Sequence, residues 1–159
     1  MSARHERRRL VDVALDEALA RGTPDQEHER AIAIYDLLQE NSFGLPDRDD
    51  GPYKLRLAAQ EGRLVLDIEP VQSGPGATHI VPLASLRNLL KDYRLICDSY
   101  YAAIRTATPA QIEALDHSRR AAHDEASAAL AERLAGKIEI DKETARRLFT
   151  LIVALHAKA

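Results

Sequence analysis

Apolar positions recur along the chain with two different periods, and the changes of period mark its elements. Residues 10–16 alternate, Val11, Val13 and Leu15 on one side and Asp12 and Asp16 on the other, which predicts a half-buried strand. Thr23-Pro24-Asp25-Gln26 combines a capping hydroxyl, a proline suited to a first turn and a glutamine that closes a capping box, so a helix opens there. Ala31, Ile34, Tyr35 and Leu38 form its expected apolar stripe, and it should end near Asn41. Residues 44–52 collect Pro46, Gly51 and Pro52 among charged side chains and predict an exposed loop. Alternation returns at 53–59 and 64–70, a hairpin joined by Gln60-Glu61-Gly62-Arg63, with Leu64, Leu66 and Ile68 on one face. A third strand over 78–83 carries Pro82, which lacks a donor and suits a sheet edge.

The longest helical stripe lies at 85–105, where Leu86, Leu89, Leu90, Tyr93, Ile96, Cys97, Tyr100 and Ile104 recur at gaps of three or four. Ser85 is its expected N-cap. This segment is expected to be the core helix: Leu90→Asp should prevent folding, and Arg94→Ala should be nearly silent. Thr108-Pro109-Ala110-Gln111 repeats the capping pattern and opens another helix, which either runs unbroken to Ala135 or breaks between Asp116 and Ser127. Gly136 ends it, residues 137–140 add a short strand, and Asp141 caps a last helix. There Ala145, Leu148, Phe149, Ile152 and Leu155 share one side, with Leu151 and Val153 widening it, so most of its circumference should be buried in this domain or in a partner. The fold class expected is α+β: an antiparallel sheet of about four strands with helices packed on one face, in the order β-α-β-β-β-α-α-α. The whole of 1–159 is expected to be one domain, with 1–9 a flexible basic leader (Arg4, Arg7, Arg8 and Arg9).

Composition narrows the function classes. A net charge of −3 exerts no general pull on nucleic acid or acidic membranes, and 4% aromatics without Trp leaves few platforms for stacking bases. A nucleic-acid reading through the leader and Arg146-Arg147 therefore ranks last. The charged N-terminus lacks the apolar run of a secretory signal, and Leu151 to Leu155 is too short to span a bilayer, so a cytoplasmic protein without membrane attachment is expected. Cys97, the one cysteine, falls on the apolar stripe and reads as a structural thiol.

Chemistry is sparse. The histidines show no i, i+4 pair, so no metal or cofactor is expected. Residues 73–77 lack the Lys and the following helix of a phosphate loop, and read as a turn. The unusual stretch is 116–125, where Arg119 falls within the inward stripe of Ile112, Leu115, Ala122, Ala126 and Leu130, with His123 beside it. A guanidinium there needs a carboxylate partner. Arg119, Arg120, His123 and Glu125 are thus a candidate anion or ligand site, with a salt-bridged clamp between helices as the plainer alternative.

The runs TPDQEHERAIAIYDLLQENSF, KDYRLICDSYYAAIRTATPAQIEALD and ETARRLFTLIVALH resemble the uncharacterised bacterial protein family UPF0262, along essentially the whole chain. The resemblance brings no established activity, cofactor or catalytic residue. The family's pattern includes two arginines followed by His and Glu, matched here by Arg119, Arg120, His123 and Glu125; glycines usual near that spot are replaced by Ala121 and Ala126. The leading expectation is a non-catalytic protein-binding or regulatory module that self-associates through the last helix. The alternative is a small enzyme or ligand-binding protein built on the Arg119 cluster.

Overall fold

The computed structural model describes residues 6–156. Strand β1 (Leu10–Leu15) leads through one helical turn, α1 (Glu17–Ala20), into α2 (Pro24–Gln39). Asp16 caps α1 by accepting from the Leu19 N–H at 2.9 Å, and Thr23 and Gln26 form the expected box on α2. A strand–helix–strand connection permits parallel pairing, and β1 indeed lies parallel to β3 (Tyr53–Gln60). The sheet has the four strands expected and is mostly antiparallel, with the β1–β3 pair parallel. The rest is antiparallel: β3 turns into β4 (Arg63–Pro70) and β4 pairs with β5 (Ala77–Pro82), giving the order β1-β3-β4-β5 with β5 at an edge. Glu61 and Gly62 both have positive φ, the two-residue turn whose twist matches the strands.

One sheet face carries Leu10, Val13, Leu55, Leu57, Leu64, Leu66, Ile68 and Val81, all buried. The other presents Asp12, Lys54, Arg56 and Glu69 to solvent, so the helices occupy one side. A register shift between Leu10 and Asp12 breaks the predicted alternation of β1: Leu10 and Val13 go inward and Val11 outward. Asn41 closes part of the outer edge of β1, its side chain accepting from the Leu10 N–H at 2.7 Å and donating to the Leu10 carbonyl.

The helical layer differs from expectation in which helix is central. After β5 the chain enters α3 (Leu83–Ala103), turns at 104–108, and returns as α4 (Pro109–Leu134). A two-residue ribbon of β2 (Phe43–Gly44) and β6 (Glu139–Ile140) precedes the last helix, α5 (Lys142–Leu155). Helix α5 packs between α2 and α4, while α4 packs on α3. Its Leu148, Phe149, Leu151, Ile152, Ala154 and Leu155 are all buried within this chain, so the apolar surplus that suggested self-association is absorbed by the fold. On α3 only Leu86 and Leu90 are fully buried, and Ile104 at the far end is 48% exposed. The stripe is real, but beyond Tyr93 the segment has α4 as its principal neighbour and a two-helix layer leaves the sides open. Ser85 is not the cap of α3: Pro82 holds that position, and the Ser85 hydroxyl donates to the Pro82 carbonyl at 2.7 Å. Helix α4 is continuous for 26 residues, about 39 Å at 1.5 Å per residue.

On α2 the buried residues are Arg30, Ala33 and Leu37, with Ile34 and Leu38 half-buried, whereas Tyr35 is 62% exposed. The inward face is therefore rotated from the predicted stripe towards a position filled by arginine. The loop expected to be exposed at 44–52 is only partly so: Leu45 is buried, Arg48 and Asp50 pair at 2.6 Å, and the Tyr53 hydroxyl donates to Asp50 at 2.7 Å. Gly51 lies so close to the Arg7 carbonyl that a side chain there would collide with backbone. Part of the expected flexible leader is tied down, since Arg7 pairs with Asp49 at 3.0 Å and Arg8 with Glu139. Residues 1–5 lie outside the described residues. Among those described, no helix is long and apolar enough to cross a membrane.

Candidate functional site

Helices α2, α4 and α5 enclose an open cleft of about 590 Å³ with Tyr93 of α3 at its side. Arg119, Arg120 and His123 face it from α4, the i, i+1, i+4 spacing placing all three on one side of the helix. Arg146, Arg147 and Thr150 face it from α5 with the same spacing. The two triplets are locked together: His123 Nε2 lies 2.8 Å from Thr150 Oγ1. The Thr150 hydroxyl donates to the Arg146 carbonyl at 3.1 Å, which assigns the bond from His123 as Nε2–H donating to Thr150. Ser127, buried a turn further along α4, donates to the His123 carbonyl at 2.7 Å.

The imidazole packs edge-on against two rings, 5.3 Å from Tyr93 and 5.3 Å from Phe149, which stand 5.6 Å from each other. Burial lowers its pKa to about 4, with the nearby charges of Arg146 and Arg119 pushing the same way. Burial likewise pushes the Tyr93 phenol up to about 12, assisted by the Cys97 thiol and opposed by Arg119. Both groups are therefore neutral near pH 7.

The arginines are held by different partners. Asp116 accepts from Arg119 at 2.5 Å and from Arg120 Nε at 2.9 Å, and these two bonds hold its carboxyl below the usual carboxylate range. Arg119 also lies 4.9 Å above the Tyr100 ring, and its buried Nε has no hydrogen-bond partner among the described residues. Arg146 pairs with Asp124 and approaches Glu143 at 3.8 Å. Arg147 donates to the Glu40 carbonyl at the C-terminal end of α2, at 3.2 Å, where a cation also complements the helix dipole.

Of the four residues predicted from sequence, the fold brings Arg119, Arg120 and His123 together. Glu125 turns away and borders a shallow groove beside Leu89, Leu95 and Ala122. Arg146, Arg147 and Thr150 were missed as partners of this cluster. Their signal was present: Arg-Arg-x-x-His at 119–123 and Arg-Arg-x-x-Thr at 146–150 share a spacing. His28 is exposed, His79 is half-buried in β5, and the turn at 73–76 is pinned by Arg48 donating to the Pro75 carbonyl at 2.6 Å. Among the described residues, no group of three or more His, Cys, Asp or Glu is arranged to hold a metal ion.

A UPF0262 protein of Methylobacterium radiotolerans is 56% identical over 151 residues, covering 94% of each chain. Another, from Brucella canis, is 55% identical over 149 residues and 93% of each chain, and one from Brucella anthropi is 54% identical over 98% of each. No solved structure matches. The family model described as an uncharacterised protein family (UPF0262) matches residues 7–158, and with relatives this similar over nearly their full length the chain belongs to that family.

Proposed function

We propose that this protein is a non-catalytic binding module that grips a small ligand by an anionic group in the cleft between α2, α4 and α5. The observation that carries the reading is the convergence of two Arg-Arg pairs, one from α4 and one from α5, on a single cleft. Planar guanidinium forks suit phosphate and carboxylate oxygens, and internal partners occupy only some of their donors. The cleft is also of the size usual for small-molecule sites.

Binding rather than turnover is favoured by the state of the groups at hand. His123 is neutral near pH 7 and its Nε2–H is engaged by Thr150, while the Asp116 carboxylate is ion-paired to two arginines. Neither is poised to exchange a proton with a ligand at that pH.

Thermal unfolding at low ionic strength, with and without millimolar inorganic pyrophosphate, tests the proposal. A melting temperature raised by several degrees in the wild type, and unchanged in the Arg120→Ala/Arg147→Ala variant, is expected. No shift in the wild type, or an equal shift in the variant, would overturn it.

A further inference from the structure

Resting on the anion-binding reading, we infer that the ligand is zwitterionic, its anionic group held by the arginines and a cationic amine held by the α2 wall. Charges of both signs line the cleft, and its α2 side carries carboxylates without a guanidinium. Four guanidiniums, Arg119, Arg120, Arg146 and Arg147, come from α4 and α5. Three carboxylates also line it, Asp36 and Glu40 from α2 and Glu143 from the first turn of α5.

Asp36 lies in the last turn of α2 and Glu40 is its extended C-cap, and both border the cleft. Both are exposed, and among the described residues neither side chain forms an ion pair. Asp36 and Glu40 therefore border the cavity without closing on its arginines, whereas Glu143 approaches Arg146 at 3.8 Å. The packing of α2 on α5, through buried residues that include Ala33, Leu37, Leu148 and Phe149, fixes the separation of the walls. Arg147, beside this wall, is engaged by the Glu40 carbonyl.

A bare anion seated on the arginines would face this acidic wall and be repelled by it. A molecule with an amine at its other end would be attracted by both walls, the complementarity that sets specificity more than raw affinity. The acidic wall also disfavours long polyanions such as nucleic-acid backbones, in line with the chain's net negative charge.

Titration calorimetry with inorganic phosphate, phosphoethanolamine and longer aminoalkyl phosphates tests the inference. The best aminoalkyl phosphate should bind roughly fivefold or more tightly than phosphate, a preference two partly exposed ion pairs can supply. Asp36→Asn/Glu40→Gln should abolish that preference while leaving phosphate affinity equal or improved. Both carboxylates are exposed, so this variant is expected to keep the wild-type melting temperature, which serves as the folding control. Phosphate binding as well as or better than every aminoalkyl phosphate would overturn the zwitterion and leave the anion site standing. A preference that survives in the variant would do the same. No binding of phosphate, pyrophosphate or any aminoalkyl phosphate would remove both.

Discussion

His123 shows how burial on three sides sets the behaviour of one ring. Tyr93 of α3 and Phe149 of α5 flank it, and Arg119 and Arg146 bring positive charge from α4 and α5. Its folded pKa of about 4 lies below the ordinary 6.5, so between those values the unfolded chain binds the additional proton. Stability is then fully present above about 6.5 and is lost as the pH falls towards 4. Allowing for solvent screening, the loss from this group is on the order of 1–2 kcal/mol. His123→Phe keeps a ring against Tyr93 and Phe149 and removes the titration. Urea midpoints recorded from pH 7 to pH 4 should fall less steeply in the variant, and superimposable profiles would contradict the assignment. Arg30 is a second case, 6% exposed, donating to the Ala154 carbonyl at 3.2 Å and to the Arg21 carbonyl at 2.5 Å. Arg30→Ala leaves a cavity and two carbonyls short of a donor, and should cost about 2–4 kcal/mol by urea unfolding. A cost below measurement error would show that water replaces the guanidinium. Nothing in the periodicity marked Arg30 as inward, because an arginine on a helix reads as part of the polar side until its carbonyl partners are known.

Among the elements, α2 and α4 begin with the same capping box in very different surroundings. Thr23 opens a helix packed on α5 and on β1, whereas Thr108 opens the far end of the α3–α4 pair. Each box is worth about 1 kcal/mol to its own helix. Thr23→Ala should therefore lower the melting temperature of the whole chain. Thr108→Ala should act locally, raising amide exchange in the first turns of α4 while the global transition moves little. Equal global destabilisation by both would mean that the far end of the pair folds with the rest. Caps, turns and alternating strands were legible in the sequence because each is decided by residues a few positions apart. The rank order of the helices was not. The α3 stripe is longer and more regular than the apolar surface of α5, yet burial depends on how many neighbours an element meets. Arg94 illustrates the same limit. It sits on the polar side of α3 and was expected to be silent, but it donates to the His156 carbonyl at 2.6 Å, closing the end of α5.

For the molecule as a whole, the decisive feature is that the last helix completes the core laid down by the first strands. Half of the candidate site was legible because Arg119, Arg120 and His123 stand close together in sequence. The facing pair, Arg146 and Arg147, lies on α5, and only the insertion of α5 between α2 and α4 brings it across. The parallel pairing of β1 with β3 was open to inference from the strand–helix–strand order, but its register was not, since the shift after Leu10 breaks the alternation. If α5 is the central element, a cavity there must cost more than an equal one in α3. Leu151 is 0% exposed, whereas Leu90 retains 7%. Removing the same atoms from each site compares two environments at fixed chemistry, and the less relaxed site gives the larger loss. Leu151→Ala should cost about 3–5 kcal/mol and Leu90→Ala about 2–3 kcal/mol in urea titrations with unchanged m-values. A larger loss at Leu90 than at Leu151 would return the central role to α3 and remove the frame that sets the two arginine pairs face to face.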